Sequence, residues 1–113
     1  MASERIVIIE TTLPSEEKAK KVASKAIKSK LAACVHLQKI KSIYWWEEKI
    51  ETADEIKLSF KTRERLSSAL LAFLREIHPY EVPEIVIFKA HKVHKPYALW
   101  IHNTTKKNIK ENI

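Results

Sequence analysis

The sequence predicts an α+β fold in which four antiparallel strands carry two helices on one face. The residues Ile56, Leu58 and Phe60 alternate with polar ones, as in a strand that is wet on one side. The stretches that begin at Ser15 and Glu64 instead repeat their apolar residues at helical spacing. Further apolar runs on either side of these stretches complete the predicted order strand, helix, strand, strand, helix, strand.

The first strand and helix follow from an apolar run and a capping signal. Ile6–Ile9 is continuously apolar, which is typical of a buried strand. Ser15 is a favourable N-cap, and the acidic residues that follow it suit the positive end of a helix. The helix is predicted from about Ser15 to Lys30, and its narrow apolar stripe can lie close to a sheet: Ala19, Val22, Ala23, Ala26 and Ile27.

The second strand is predicted to begin at Ala33 and to bend. Val35 and Leu37 share one face. The apolar residues further along have the opposite parity, namely Ile40, Tyr44 and Trp46. This change of phase predicts a bulge or bend near Gln38–Ile40.

The second half of the chain repeats the pattern. The polar segment Glu47–Asp54 is predicted to form the turn that leads into the third strand at Ile56. The second helix is predicted at about Glu64–Ile77, and Pro79 closes it. Ile85–Phe88 is predicted to be the fourth strand.

The C-terminal part is predicted to add a short third helix and a tail. Pro96 suits the first turn of a helix, and an apolar group follows it: Ala98, Leu99, Trp100 and Ile101. Residues 104–113 are predicted to form a frayed basic tail. We therefore expect a single domain over residues 1–113, with its core at about residues 5–103.

Composition excludes several functional classes. The chain has 113 residues, a formal net charge of +7 and no glycine, so it can contain no P-loop and no dinucleotide fingerprint. Cys34 is the only cysteine, which excludes an intrachain disulfide and, with no signal region evident, favours a cytoplasmic location. No stretch is apolar enough to span a membrane. The lysines of the first helix are better explained as a solvent-exposed face than as a nucleic-acid site. Phosphates and bases are bound better by the bidentate guanidinium of arginine than by the ammonium of lysine.

The segment His78–Glu84 is the most distinctive stretch of the chain. It holds two of the four prolines, a histidine, a tyrosine and two carboxylates in seven residues. Pro79 disfavours helical geometry at His78, so we predict a stiff connector that leads into a buried strand. The same segment groups side chains that can bind a ligand or transfer a proton.

Several ordered motifs together resemble the CutA family of divalent-cation tolerance proteins. They are Thr11–Pro14, Lys30–Val35, Ser42–Trp46, Lys49–Glu51, Lys61–Arg63 and His78–Glu84, with Tyr97 and Trp100 as the closing aromatic pair. The resemblance implies a ferredoxin-like β-α-β-β-α-β fold and a tight homotrimer. It implies a cytosolic protein linked to tolerance of copper and other divalent metals, with no established catalytic activity. The fold and trimer are similar to those of the PII signalling proteins.

Two positions depart from the pattern of that family. Many members carry Pro-Gly before the Ser-Ile-Tyr motif, where this chain has Gln38–Lys41. Many also carry glycine where this chain has Glu48, so a turn that needs a positive φ is expected to be strained or rebuilt there.

Cys34 and His78 are the candidate metal ligands, because copper favours thiolate and imidazole. Cys34 and His36 alternate onto one strand face, although a free cysteine is commonly a small apolar filler. His78 lies near the end of the second helix, where an imidazolium is favoured. A capping role and a ligand role both stay open for it, and the resemblance implies a role in the family's proposed copper site. We expect no obligatory cofactor, only weakly bound Cu²⁺ or another divalent cation.

A second group of side chains is a candidate binding cleft between subunits: Lys61, Tyr80, Glu84 and Trp46. It could bind a small anion or cation, as in a PII-like regulator, or form a structural salt bridge with aromatic packing. One sheet face is expected to lie uncovered and to carry aromatic residues of the second strand, so another copy of the chain is the expected partner. The interface candidates are Tyr44, Trp45 and Trp46. Asp54 is the only aspartate, and no hydrolase triad is recognisable, so we expect no enzyme.

Overall fold

The computed structural model describes residues 5–106 and confirms the predicted order of elements. A four-stranded antiparallel sheet has the strand order β2-β3-β1-β4, and three helices pack on it. The elements are β1 Ile6–Leu13, α1 Glu16–Lys28, β2 Cys34–Trp46, β3 Lys49–Arg63, α2 Ser67–Ile77, β4 Ile85–Lys89 and α3 Lys95–Thr105.

The main core lies between the sheet and the helices α1 and α2. Because side chains alternate along a strand, Ile9 of β1 and its register partner Phe60 of β3 point to the same face, and both are fully buried. Four residues of the predicted small stripe of α1 are buried there, with Leu70 and Leu74 of α2 beside them: Ala19, Val22, Ala23 and Ala26. Ile27, the fifth residue predicted for that stripe, is 39% exposed. Alanines in the stripe let α1 approach the sheet closely.

The boundaries of the helices follow their capping signals. The backbone N–H of Lys18 donates to Ser15 Oγ at 3.2 Å, as expected for an N-cap. Beyond α1, Lys30 adopts a φ of 62°, and the Leu31 N–H donates to the Ala26 carbonyl at 2.9 Å. This left-handed residue after the helix is a position that favours glycine, and the chain fills it with lysine. A 3₁₀ turn at Glu64–Leu66 precedes α2.

The predicted bulge in β2 is wrong. The register with β3 runs without interruption from Cys34 opposite Lys61 to Trp46 opposite Lys49. Ile40, Tyr44 and Trp46 therefore lie on the same face as Cys34, opposite to that of Val35. The apolar residues change from odd to even positions because α1 and α2 cover only the first half of β2. In the second half, the apolar residues lie on the other face of the strand.

The second half of this long hairpin projects as an arm, defined here as residues 40–55. The pairing of β3 with β1 ends at Ile56 opposite Leu13, so the arm has only two strands. The expected turn at Glu47–Asp54 is also wrong, because β3 already begins at Lys49. Glu47 and Glu48 alone form the turn, with φ values of 49° and 62°. The aromatic residues of β2 lie on this arm rather than over the four-stranded part of the sheet.

Helix α3 packs on the sheet face opposite to α1 and α2. Its Ile101 is fully buried and clusters with Ile6 and Ala33. Arg63 Nε donates to Thr105 Oγ1 at 2.9 Å, which ties the end of α3 to the end of β3. The helix thus includes Thr105, which was predicted to lie in the tail, and residues 107–113 lie outside the described part of the chain.

No helix within residues 5–106 is long and apolar enough to cross a lipid bilayer.

Candidate functional site

A cavity of about 710 Å³ opens between the arm and the segment His78–Glu84. The end of β1 forms its inner wall, and the long hairpin supplies one side. The arm contributes Ser42, Tyr44, Trp46 and Glu55 to the lining, and the segment contributes Tyr80, Glu81 and Glu84. The two prolines of the segment exclude helix and restrict the residues before them, so α2 ends at Ile77 and the chain bends at Tyr80–Val82 before β4.

His78 fastens the segment to the end of β1. Its Nε2 lies 2.8 Å from the Thr12 carbonyl, which can only accept, so Nε2 carries the proton. Its Nδ1 accepts the backbone N–H of Tyr80 at 3.2 Å. Both ring nitrogens of the neutral imidazole are therefore engaged.

The protonation of His78 follows from its surroundings. Burial lowers the pKa of His78, and it outweighs the hydrogen bond to the Thr12 carbonyl and the nearby charge of Glu55, which both raise it. We expected the C-terminus of α2 to favour a cationic imidazolium, but the partly buried setting favours the neutral ring instead.

Tyr80 joins the segment to the arm. Its hydroxyl donates to Glu55 Oε2 at 2.7 Å, and its ring lies 4.9 Å from that of His78 between centroids. Burial is the main cause that raises the pKa of Tyr80, and the hydrogen bond and charge of Glu55 raise it further. The phenol therefore stays protonated and keeps donating to Glu55. Glu55 itself is only 8% exposed.

The structure brings together three of the four residues that the sequence suggested for a cleft. Trp46, Tyr80 and Glu84 line the cavity, but Lys61 is not among its lining residues. Lys61 lies near the other end of β3, opposite Cys34 in register, and its Nζ is 2.8 Å from His36 Nδ1. The expected pairing of a lysine with a carboxylate is therefore not found in this cavity.

Sequence reasoning missed Glu55, the buried carboxylate of the cavity. It lay between the predicted turn, which ended at Asp54, and the predicted strand, which began at Ile56, so it was not considered as a functional side chain. The alternation of β3, continued backwards from Ile56, could have placed it, because Glu55 pairs with Ile40 and so shares a face with Tyr44 and Trp46.

Cys34 lies away from the cavity, near the start of β2. It is partly buried and shares a sheet face with His36 and Lys61. Burial raises the pKa of Tyr97, and the charge of Cys34 and a hydrogen bond to it raise that pKa further, so the thiol lies beside the first turn of α3. Over residues 5–106, no group of three or more His, Cys, Asp or Glu side chains is placed to hold a metal ion.

The residues suggested for an interface differ in exposure. Trp45 is 71% exposed, whereas Tyr44 and Trp46, on the other face of the hairpin, are 43% and 39% exposed. Ile43 and Ile50 add exposed apolar surface to the arm. A group of this size on a projecting hairpin is typical of a protein contact.

Sequence and structure both relate the chain to known proteins. Residues 7–104 match the family described as CutA1 divalent ion tolerance protein. The divalent-cation tolerance protein CutA of Pyrococcus horikoshii is 39% identical over 102 residues, which cover 90% of this chain and 100% of that protein. Protein CutA of Mus musculus is 41% identical over 95 residues, which cover 83% of this chain but 54% of that protein.

Solved structures show the same likeness. The crystal structure of divalent ion tolerance protein CutA1 from Ehrlichia chaffeensis superimposes with a TM-score of 0.89 at 26% identity, covering 94% of this chain and 100% of that one. The family match over residues 7–104 includes the arm, the residues that line the cavity and the segment His78–Glu84. The chain described here belongs to the CutA1 divalent ion tolerance protein family.

Proposed function

We propose that this chain acts in the tolerance of divalent cations as a ferredoxin-like homotrimer in the cytoplasm, without a catalytic cycle of its own. The match to the CutA1 family over residues 7–104 carries this proposal, because it spans nearly all of the described structure. The relatives from Pyrococcus horikoshii and Ehrlichia chaffeensis are named for tolerance of divalent cations or ions.

The exposed surfaces support self-association. The strand order leaves β2 and β4 as the edges of the sheet, and open edges and apolar arms are surfaces that proteins commonly cover. Beyond the arm, Phe88 of β4 and Leu99 of α3 are 50% and 54% exposed. We propose that these surfaces and the arm meet in the trimer.

The metal ligands are a separate part of the proposal. His78 can bind a metal only if the Tyr80 amide leaves Nδ1, since the other nitrogen donates to Thr12. Cys34 shares its face with His36, but the Lys61 ammonium contacts that histidine. One protomer thus offers few ligands, and we propose that a divalent ion binds weakly, with Cys34 supplied by more than one protomer of the assembly.

Titration with Cu²⁺ and Zn²⁺ tests the ligands. We expect Cys34→Ala to lower the affinity or the number of ions bound per protomer in calorimetry. His78→Ala is expected to change little, because its ring nitrogens are engaged. His91→Ala is the matched control, since His91 is an exposed histidine. Unchanged stoichiometry and affinity in both Cys34→Ala and His78→Ala would reject both residues as ligands.

A PII-like site for a small anion is the alternative, and the cavity does not favour it. An anion site needs cationic side chains or free backbone N–H groups. Lys61, the lysine suggested for that role, contacts His36 instead.

A further inference from the structure

We propose that the cavity between the arm and the segment His78–Glu84 binds an elongated organic polycation of the aliphatic polyamine class. This proposal concerns a different ligand from the divalent ion considered above, and it requires no metal. Three properties of the cavity support it: the sign of its charge, its aromatic walls and the separation of its carboxylates.

The charge of the cavity is opposite to that of the whole chain. The chain has a formal net charge of +7. The cavity is nevertheless lined by Glu55, Glu81 and Glu84, and no Lys, Arg or His is among the described residues that line it. A cation that binds this protein must overcome a repulsive overall field, so it will bind where the local field is reversed.

Aromatic side chains form much of the wall. Tyr44 and Trp46 come from the arm, and Tyr80 comes from the opposing segment. Aromatic faces attract ammonium groups, and tryptophan does so most strongly. The same faces can pack against the methylene groups that separate the ammonium groups of a polyamine. Ile43 and Val82 add apolar lining, which suits a ligand with a carbon chain better than a hydrated ion.

The carboxylates are spread rather than convergent. No three acidic, histidine or cysteine side chains of the described residues could hold one metal ion, although three glutamates line this cavity. A polyamine places its charges several bonds apart, so each ammonium can meet a different carboxylate. Glu55 is fixed by the hydroxyl of Tyr80 on one oxygen, and its carboxylate has a second oxygen for an ammonium. The volume of about 710 Å³ lies within the usual range for small-molecule sites.

Calorimetry of the intact protein with spermidine tests the proposal. We expect one spermidine per cavity, and a weaker response to putrescine, which has fewer charges. Glu81→Gln and Glu84→Gln should each weaken binding about two- to fivefold, as expected for partly exposed charge pairs. Both residues are exposed, so the variants should fold normally. Glu76→Gln makes the same charge change on the exposed side of α2 and should leave the affinity unchanged.

The aromatic wall provides an independent readout. Spermidine should change the fluorescence of the native protein, and Trp46→Phe should remove most of that change while it weakens binding only modestly. The proposal is overturned if spermidine does not bind. It is also overturned if Glu76→Gln weakens binding as much as Glu84→Gln does, because the response would then report overall charge. Binding of sulfate or phosphate in place of spermidine would contradict it as well. None of these outcomes depends on the Cu²⁺ titration of Cys34→Ala.

Discussion

At the scale of single residues, His78 decides how the most distinctive segment of the chain is held. One ring nitrogen donates to the end of β1, and the other accepts the backbone N–H of Tyr80. The imidazole, at the C-terminal end of α2, therefore holds both the end of this helix and Tyr80 in place. Tyr80 then reaches Glu55 on the arm. The three side chains form one chain of hydrogen bonds that links β1, the segment and the arm.

The stability of the fold should depend on pH through His78. Because burial lowers its pKa in the folded state, the unfolded state binds the proton more readily. The contribution of His78 is therefore present above the unfolded pKa of about 6.5 and is lost as pH falls below it toward the folded pKa. The facing charge of Glu55 opposes this shift but does not outweigh it.

The variant His78→Gln separates this effect from general acid sensitivity. Its amide can still donate to Thr12, but it cannot titrate and does not reproduce the bond from Tyr80. We expect it to destabilise the fold at pH 7.5 by about 0.5–1.5 kcal/mol, the usual contribution of a hydrogen bond. In urea unfolding, the difference from the native protein should shrink as pH falls to 5.5. A difference that is constant over this range would show that His78 does not titrate as described.

At the scale of the elements, the turn of the arm shows the cost of a chain without glycine. Glu47 and Glu48 both have positive φ, the conformation of a type I′ hairpin turn, in which Asn-Gly and Asp-Gly are preferred. The turn was expected to be strained or rebuilt at Glu48, and the structure keeps the positive φ there.

Replacement of Glu48 by glycine should stabilise the arm. A residue with a side chain is disfavoured in the left-handed region, so Glu48→Gly is expected to raise the free energy of unfolding by about 0.5–1 kcal/mol. Glu51→Gly is the matched control, because Glu51 is exposed in the extended part of β3 and glycine there should destabilise. Thermal and urea unfolding measure both. If both variants were destabilised alike, the positive φ of Glu48 would not be what lowers the free energy of unfolding.

At the scale of the whole molecule, the shape of the protomer points to assembly. Its dimensions are 51 × 29 × 20 Å, and the long axis is consistent with the two-stranded arm that extends beyond β1. A two-stranded hairpin alone is marginally stable in water. The arm carries exposed Trp45, Ile43 and Ile50, so contact with another copy would both cover and support it.

Substitution of Trp45 tests the assembly. Trp45→Ala removes the most exposed aromatic side chain of the arm and should weaken association about tenfold or more, as large aromatic contacts do. Tyr44→Ala and Trp46→Ala should also weaken it, although they change the cavity too. Light scattering and sedimentation over a range of concentrations measure this, with Glu76→Ala as a control. A folded monomer of the native chain at micromolar concentration would contradict the proposed trimer.

The cavity depends on contacts between distant segments, so only part of it could be predicted. Tyr80, Glu84 and Trp46 were singled out from their motifs, and the structure places all three in its lining. Within the protomer Lys61 lies apart from them, near the other end of β3, because a motif gives no information about which end of a long strand lies near which loop. Glu55 was missed because the start of β3 was set too late in the chain.

The amino-acid sequence by itself determined the order of elements, the N-cap of α1 and most of the two helical stripes, because these depend on local periodicity, on the capping side chain of Ser15 and on the backbone limits of Pro79. It also determined the family, through motifs in a fixed order. Only the tertiary structure decided that β2 runs straight into a two-stranded arm and that His78 contacts the end of β1 through Nε2 and the backbone of its own segment through Nδ1. Only the tertiary structure, too, decided that the cavity is acidic in a basic protein. Strand register and the meeting of distant side chains are long-range properties, and a one-residue shift in the register of a strand moves all its side chains to the other face.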